Sequence, residues 1–304
     1  MEGATDGEAE LALSAETIAA APSLGGRQPD LIVDATGRAR LVARALGIGA
    51  DFGPRRDIAH FAHFEGFRWD EDEPEGQVLI GRGEAGWIWC IPLKDRLSIG
   101  IVLGQDAAAR LGRSPEARLE STILMDPWLK SIAAGAARVT PVASYANYQL
   151  ISRRGCGPGW VAVGDAFGFV DPMLSPGVFL ALRSAEIVAE ALTPVLARRA
   201  NMSPPALAGL FRPYLAGHRA ALSAWMSLVA TFYDGRMPAL MRAGHEWMAT
   251  GSGRLKHAMQ DHIERQIALQ ASGAATTARY SRTLLRVLAR HGLRGVPPAE
   301  MAIR

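Results

Sequence analysis

The stretch Trp160-Val161-Ala162-Val163-Gly164-Asp165-Ala166-Phe167-Gly168-Phe169-Val170-Asp171-Pro172-Met173-Leu174-Ser175-Pro176-Gly177-Val178-Phe179 decides the fold of this 304-residue chain. Its first four residues form a short apolar run that suits a buried strand. Gly164-Asp165-Ala166 then turns the chain, and a loop carrying Asp171-Pro172 leads to Ser175-Pro176-Gly177. From there apolar residues recur at helical spacing. Val178, Ala181, Leu182, Ala185, Val188, Ala189 and Leu192 share one face until Thr193-Pro194 ends the helix. Ser175 is placed to cap that helix, Pro176 suits its first turn, and Gly177 lets a ligand approach the backbone closely. The unpaired N–H groups and positive dipole end of such a helix favour an anionic or electron-rich group.

A carboxylate at a strand end, with a helix start a few residues on, is one way to grip a flavin. Asp165 would accept hydrogen bonds from ribityl hydroxyls, while the helix start would stabilise negative charge on the reduced ring. An ordinary strand–loop–helix with a Gly-Asp turn has the same local form. The longer series Gly-Asp-Ala, Asp-Pro, Ser-Pro-Gly-Val resembles the second FAD-binding motif of flavin-dependent monooxygenases and halogenases. Two further stretches agree, in the same chain order. Leu31-Ile32-Val33-Asp34-Ala35-Thr36-Gly37-Arg38 resembles the segment where these flavoproteins close the cofactor domain near the dinucleotide. Trp87-Ile88-Trp89-Cys90-Ile91-Pro92 is similar to the Trp-x-Trp-x-Ile-Pro signature of the flavin-dependent halogenases, the tryptophan halogenases among them. Read from its residues alone, that stretch is a strand placing bulky rings on one sheet face. The resemblance implies FAD contacts at Asp34, Ala35, Thr36, Gly37, Gly164, Asp165, Ala166, Asp171, Pro172, Ser175, Gly177 and Val178. It makes Trp87, Trp89, Ile91 and Pro92 a barrier beside the flavin rather than a catalyst.

Such a fold is expected to open with a strand, a Gly-x-Gly-x-x-Gly turn and a helix, so that backbone N–H groups meet the pyrophosphate. Residues 1–30 instead read as polar and small, with one alternating run, Ala9-Glu10-Leu11-Ala12-Leu13. The literal match Gly81-Arg82-Gly83-Glu84-Ala85-Gly86 continues into an aromatic, β-branched segment with an internal proline. No helix can start there, so it reads as a hairpin turn. The expectation is a chain lacking the N-terminal part of a longer flavoprotein, with weak FAD binding on its own.

Composition predicts a folded, soluble, cytoplasmic protein. Hydrophobic residues make up 49% and charged residues 21%, which argues against wholesale disorder. A net charge of +3 without a dense basic run implies no nucleic-acid partner. Cys90 and Cys156 give neither a disulfide framework nor a metal cluster and read as buried apolar residues. No apolar stretch reaches membrane-spanning length, and no secretory signal pattern opens the chain.

The fold class expected is mixed α/β: an incomplete FAD-binding Rossmann-like domain, an antiparallel substrate-side sheet and a helical C-terminal region. Residues 1–50 would be the remnant of the FAD-binding domain and 51–150 the antiparallel layer. Residues 151–198 would carry the second FAD motif and its helix, and 199–304 the helical region. Strands are expected at 9–14, 30–35, 57–68, 77–82, 86–93, 96–103 and 137–150, with Lys94-Asp95-Arg96 as a turn and an acidic loop from Arg68 to Pro74. Helices are expected at 38–47, from Ser114 to 134, and at 203–232, 236–250, 254–271 and 277–291, with a turn at Phe232-Tyr233-Asp234-Gly235-Arg236.

Other candidates for chemistry read as structural. Strand alternation puts His60 and His63 on opposite faces, which does not suit a shared metal. His257 and His262 diverge on a helix, and Glu186 and Glu190 fit a solvated face. Ser175 lacks the context of a nucleophile elbow. In the halogenases a lysine from the N-terminal part of the chain serves the substrate, and none of Lys94, Lys130 or Lys256 corresponds to it. Pro176 has no N–H to offer a halide, which leaves Gly177 as the nearest backbone donor. The resemblance thus implies an FAD-dependent oxidoreductase with an aromatic small-molecule substrate and a separate flavin reductase as partner; the catalytic residue stays unassigned. A geranylgeranyl-reductase-like flavoprotein and a non-catalytic fragment are the alternatives.

Overall fold

The computed structural model describes residues 13–68, 76–83, 85–146, 149–198, 202–251, 253–293 and 295–303. In chain order, helix α1 (Ala15–Ala19) precedes strand β1 (Ile32–Asp34), helix α2 (Leu41–Ala45) and strand β2 (Ala50–Phe52). Strands β3 (Asp57–Glu65), β4 (Leu79–Arg82), β5 (Gly86–Pro92) and β6 (Leu97–Gly104) follow. Next come helices α3 (Gln105–Leu111), α4 (Pro115–Met125) and α5 (Pro127–Ile132). Six short strands succeed them: β7 (Ala137–Arg138), β8 (Ala143–Ala146), β9 (Leu150–Ser152), β10 (Cys156–Gly157), β11 (Trp160–Ala162) and β12 (Gly168–Phe169). The rest is helical: α6 (Pro176–Ala197), α7 (Pro204–Tyr233), α8 (Arg236–Ala249), α9 (Arg254–Ala271) and α10 (Arg279–His291).

Contacts divide the chain into two compact units. The first takes the described residues up to Gly53 with Gln149–Ala230 and Gly244–Gly292. In it β1 runs parallel to β11, whose other neighbour is β10, and a second small sheet has the order β12-β9-β2. Cys156, Val161, Val163, Val188, Leu207, Phe211 and Tyr214 form a core between β11 and helices α6 and α7. The Tyr214 hydroxyl satisfies the Ala162 carbonyl at 2.8 Å, so the inner strand keeps no orphan acceptor there.

The second unit comprises Pro54–Tyr148, Thr231–Ala243 and the described residues from Leu293 onward. Its antiparallel sheet runs β4-β5-β6-β3-β7, with β8 also on β3. Strand alternation sends Ile99, Ile101 and Leu103 of β6, with Ile88 and Cys90 of β5, to one face. There they pack with Leu119, Ile123, Leu129 and Ile132 of α4 and α5. Burial pushes the Cys90 thiol up to about 12, and the residue acts as a small hydrophobe.

Most expected elements exist, and several of the departures have identifiable causes. The expected strand 9–14 lies outside the described residues up to position 12, and Ser14 instead caps α1 by accepting from the Thr17 N–H. Nearly all of the acidic loop (69–74) is also outside the described residues. The expected helix 38–47 splits into a 3-10 turn, Gly37–Ala39, and α2, because Arg40 takes a left-handed conformation with φ 48°. The helix expected to reach 134 breaks where Asp126 caps α5 ahead of Pro127. Helix α3 was not foreseen, and the strand expected over 137–150 is three pieces, β7, β8 and the start of β9. Pro194 does not end α6, which continues to Ala197. The Thr193 hydroxyl donates to the Ala189 carbonyl at 2.8 Å, and only one backbone bond is forfeited in this last part of the helix.

Candidate functional site

Three carboxylates follow strands in the first unit, and their surroundings separate them. Asp34, at the end of β1, is buried. One of its oxygens accepts from the Thr36 N–H (3.0 Å) and hydroxyl (2.5 Å), and the other from the Val42 N–H (2.9 Å). Its capacity is spent on closing the Asp34-Ala35-Thr36-Gly37 turn and capping α2. Asp171 is likewise fully buried, accepting from the Met173 N–H at 2.9 Å and from Gln149 Nε2 at 3.1 Å. It shapes the loop, as an Asp-Pro pair is expected to do. Asp165 accepts no hydrogen bond among the described residues and is half-buried. Burial pushes its carboxyl above the usual carboxylate range, and the nearby Arg38 guanidinium opposes that shift.

The turn that presents Asp165 is held against α6. Gly164 has φ +57°, and a Cβ there would meet the Ala181 Cβ at 3.1 Å. Its N–H donates to the Ser184 hydroxyl at 2.7 Å, and that hydroxyl donates to the Ala181 carbonyl. Ala166 is fully buried beneath the same turn. The sequence assigns Ser184 no role and shows Arg38 only as the last residue of the 31–38 stretch, since neither lies in a local pattern that points to Gly164 or Asp165.

Helix α6 begins at Pro176, as its sequence predicts, but Ser175 does not cap it. Leu174 and Ser175 have φ of 66° and 51°, two successive left-handed residues that are not glycine. A capping serine takes extended backbone angles, which Ser175 does not, and it makes no side-chain cap hydrogen bond, so the expected cap is corrected. Such a pair is strained and persists only where its surroundings impose it. The buried stripe of α6 is Pro176, Leu180, Ser184 and Val188, one face at i, i+4 spacing. Val178 and Leu182 are 73% and 68% exposed, so the apolar face expected through them is rotated. Gly177 lies beneath the Phe169 ring, which a Cβ would approach to 3.2 Å.

In the second unit, Trp87, Trp89 and Ile91 alternate along β5 onto the face opposite the helices, and Pro92 ends the strand. Trp87 and Trp89 have ring centroids 5.6 Å apart, and Phe61 lies 5.8 Å from Trp89. Trp89 covers Gly100, its cross-strand partner on β6; any Cβ at Gly100 would sit inside the indole. Its Nε1 donates to the Ser98 hydroxyl at 3.2 Å. Gly81 and Arg82 end β4 and Gly86 opens β5, its antiparallel neighbour, with the Gly83 N–H donating to the Gly86 carbonyl at 2.9 Å. The pair has the form the sequence predicts and starts no helix. His60 is buried on the helix-facing side, with Nδ1 2.7 Å from the Ser144 hydroxyl, while His63 belongs to the other face. The two do not share a site.

Comparison with known proteins follows the same residues. The family profile for tryptophan halogenase matches residues 18–208. Tryptophan 2-halogenase of Chondromyces crocatus is 31% identical over 215 residues, covering 69% of this chain and 40% of that protein. Flavin-dependent halogenase ptaM of Pestalotiopsis fici is 29% identical over 169 residues, or 51% of this chain and 31% of that protein. Among solved structures, flavin-dependent brominase Bmp2 aligns with a TM-score of 0.64 at 22% identity, over 88% of this chain and 64% of its own. Halogenase PltM in complex with phloroglucinol and FAD aligns with a TM-score of 0.65 at 18% identity, over 90% and 62% respectively. The chain therefore spans less than half the length of the two sequence relatives.

Proposed function

The chain belongs to the tryptophan halogenase family, and from that premise we propose that it supplies the flavin-facing part of an FAD-dependent oxidoreductase acting on a small aromatic substrate. The observation that carries this reading is Asp165. Of the three candidate carboxylates it alone keeps its acceptor capacity, on a turn pinned by Gly164 to the helix whose start carries no side-chain cap. The residues fit the ribityl and ring portion of the cofactor. When bound and reduced, FAD supplies the electrons that activate oxygen. Asp165 would accept from ribityl hydroxyls, and the N–H groups of Gly177 and Val178 would face negative charge on the ring. Ala35 to Gly37, Ala166, Pro172 and Ser175 would shape the walls, with Asp34 and Asp171 acting through the turns they close.

Trp87, Trp89, Ile91 and Pro92 are assigned the barrier role implied by their motif, keeping a bulky substrate away from the flavin while a small oxidant passes. Pro176 leaves Gly177 as the first backbone donor for a halide, so weaker halide dependence and some hydroxylation are expected. Reduced flavin would come from a separate reductase. Among the described residues no helix is long and apolar enough to cross a membrane. The family match favours this reading over a prenyl reductase.

Riboflavin titration followed by flavin fluorescence tests the site. Asp165→Ala should weaken binding by about tenfold or more, the loss of one or two hydrogen bonds to a charged acceptor. Equal affinity in the variant would place the flavin elsewhere.

A further inference from the structure

Trp87 is almost completely buried, and its indole Nε1 donates to the Tyr233 hydroxyl at 2.9 Å. Tyr233 is the last residue of α7, buried, and its own ring carries the Arg55 guanidinium 3.7 Å above its centroid. Arg55 in turn donates through Nε and Nη2 to the two oxygens of Asp57, at 2.5 and 3.0 Å. Asp57 is buried at the start of β3, opposite Gly104 of β6, and Trp87 lies opposite Val102 of the same strand. The chain of contacts leaves the sheet at Asp57 and returns to it at Trp87. A backbone bond from the Ile303 N–H to the Tyr233 carbonyl, 2.9 Å, fixes the tyrosine from its other end.

Resting on the barrier reading of the tryptophan pair, we propose that Tyr233, Arg55 and Asp57 are positioning residues that hold the Trp87 indole in a single orientation. Hydrophobic burial fills space without direction and would accept a flipped indole. A buried N–H needs a partner, and the only orientation that meets the Tyr233 oxygen is the observed one. The fork of Arg55 on Asp57 fixes the guanidinium plane, and its stacking on the ring fixes the phenol. Arg55 and Asp57 lie outside the motif stretches 31–38, 87–92 and 160–179; they matter here through contact alone.

The test reads the indole N–H resonances of the seven tryptophans in 15N-labelled protein, with Trp87→Phe identifying the one in question. Tyr233→Phe keeps the ring and its stacking and removes only the acceptor. It should shift the Trp87 resonance and speed its exchange with solvent several-fold, while the other resonances stay in place. Arg55→Met should displace the same resonance through the Tyr233 ring on which the guanidinium stacks, and Arg55→Lys should restore it in part. An unchanged Trp87 resonance in Tyr233→Phe overturns the proposal. So does an Arg55→Met protein indistinguishable from the wild type, a result that decides the matter even if Tyr233→Phe folds poorly. The measurement needs no flavin, so poor flavin binding would count against the proposed function and leave this network standing.

Discussion

Asp165 illustrates how a binding residue differs from a structural one of the same type. Asp34 and Asp171 have their oxygens filled by backbone and side-chain donors, whereas Asp165 is half-buried with none among the described residues. Its carboxyl is raised by burial. A group whose folded-state value lies above its unfolded value contributes stability at low pH and loses it as pH rises through the folded value. At neutral pH Asp165 is therefore a net cost to the folded state. Asp165→Asn should raise the melting temperature at pH 7, and the advantage should shrink as pH falls toward the carboxylate range. A lower melting temperature for the variant at pH 7 would show that the charge is stabilised by something other than a ligand.

At the scale of elements, glycines in β6 and α7 make opposite predictions. Gly100 is bare because the Trp89 indole lies across it. Gly100→Ala should displace Trp89 and destabilise by about 1–3 kcal/mol, the usual cost of overpacking, with a changed near-ultraviolet dichroism. Gly209, in the long helix α7, has nothing within 4 Å of an added Cβ. Gly209→Ala should stabilise by about 0.5–1 kcal/mol through helix propensity alone. Chemical denaturation of the pair would settle both, and a loss of stability in Gly209→Ala would contradict the open surroundings seen here. The same reasoning reads Ser184 as more than a helix residue. Ser184→Ala leaves the buried Gly164 N–H without an acceptor, at about 1–3 kcal/mol, and loosens the turn that presents Asp165.

For the whole molecule, the contacts assigned to the cofactor reach its ring and ribityl chain. The Gly81–Gly86 match to a phosphate-binding turn is a hairpin within a sheet. The 304-residue polypeptide should therefore bind FAD and riboflavin with affinities within about tenfold of each other. Two charge-assisted hydrogen bonds to pyrophosphate, at about 1.5–3 kcal/mol each, would separate them by more than a hundredfold. Parallel titrations of the purified polypeptide decide the point, and a hundredfold preference for FAD would mean that the residues grip the pyrophosphate as well.

How much of this was legible in the sequence depends on the range of the forces involved. Strand alternation, the β4–β5–β6 meander, the start of α6 at Pro176 and the long C-terminal helices follow from local periodicity and proline chemistry, and all four are present. The motif residues could be named for the same reason, since each motif is one contiguous stretch. Local signals failed where a distant partner set the outcome. Arg40 leaves helical geometry where its guanidinium reaches Ser152, 112 residues away, and the backbone around Gly49. Val178 and Leu182 match the apolar period of α6, yet the Gly164 turn and the core of the first unit select the face through Ser184 and Val188. Tyr233 stood in the sequence as part of a turn; only the fold brings its hydroxyl to Trp87, 146 residues away. Secondary structure is written in neighbours a few residues apart and so can be read along the chain. Which carboxylate stays open and which tryptophan is held are decided by groups that meet only after the chain has folded.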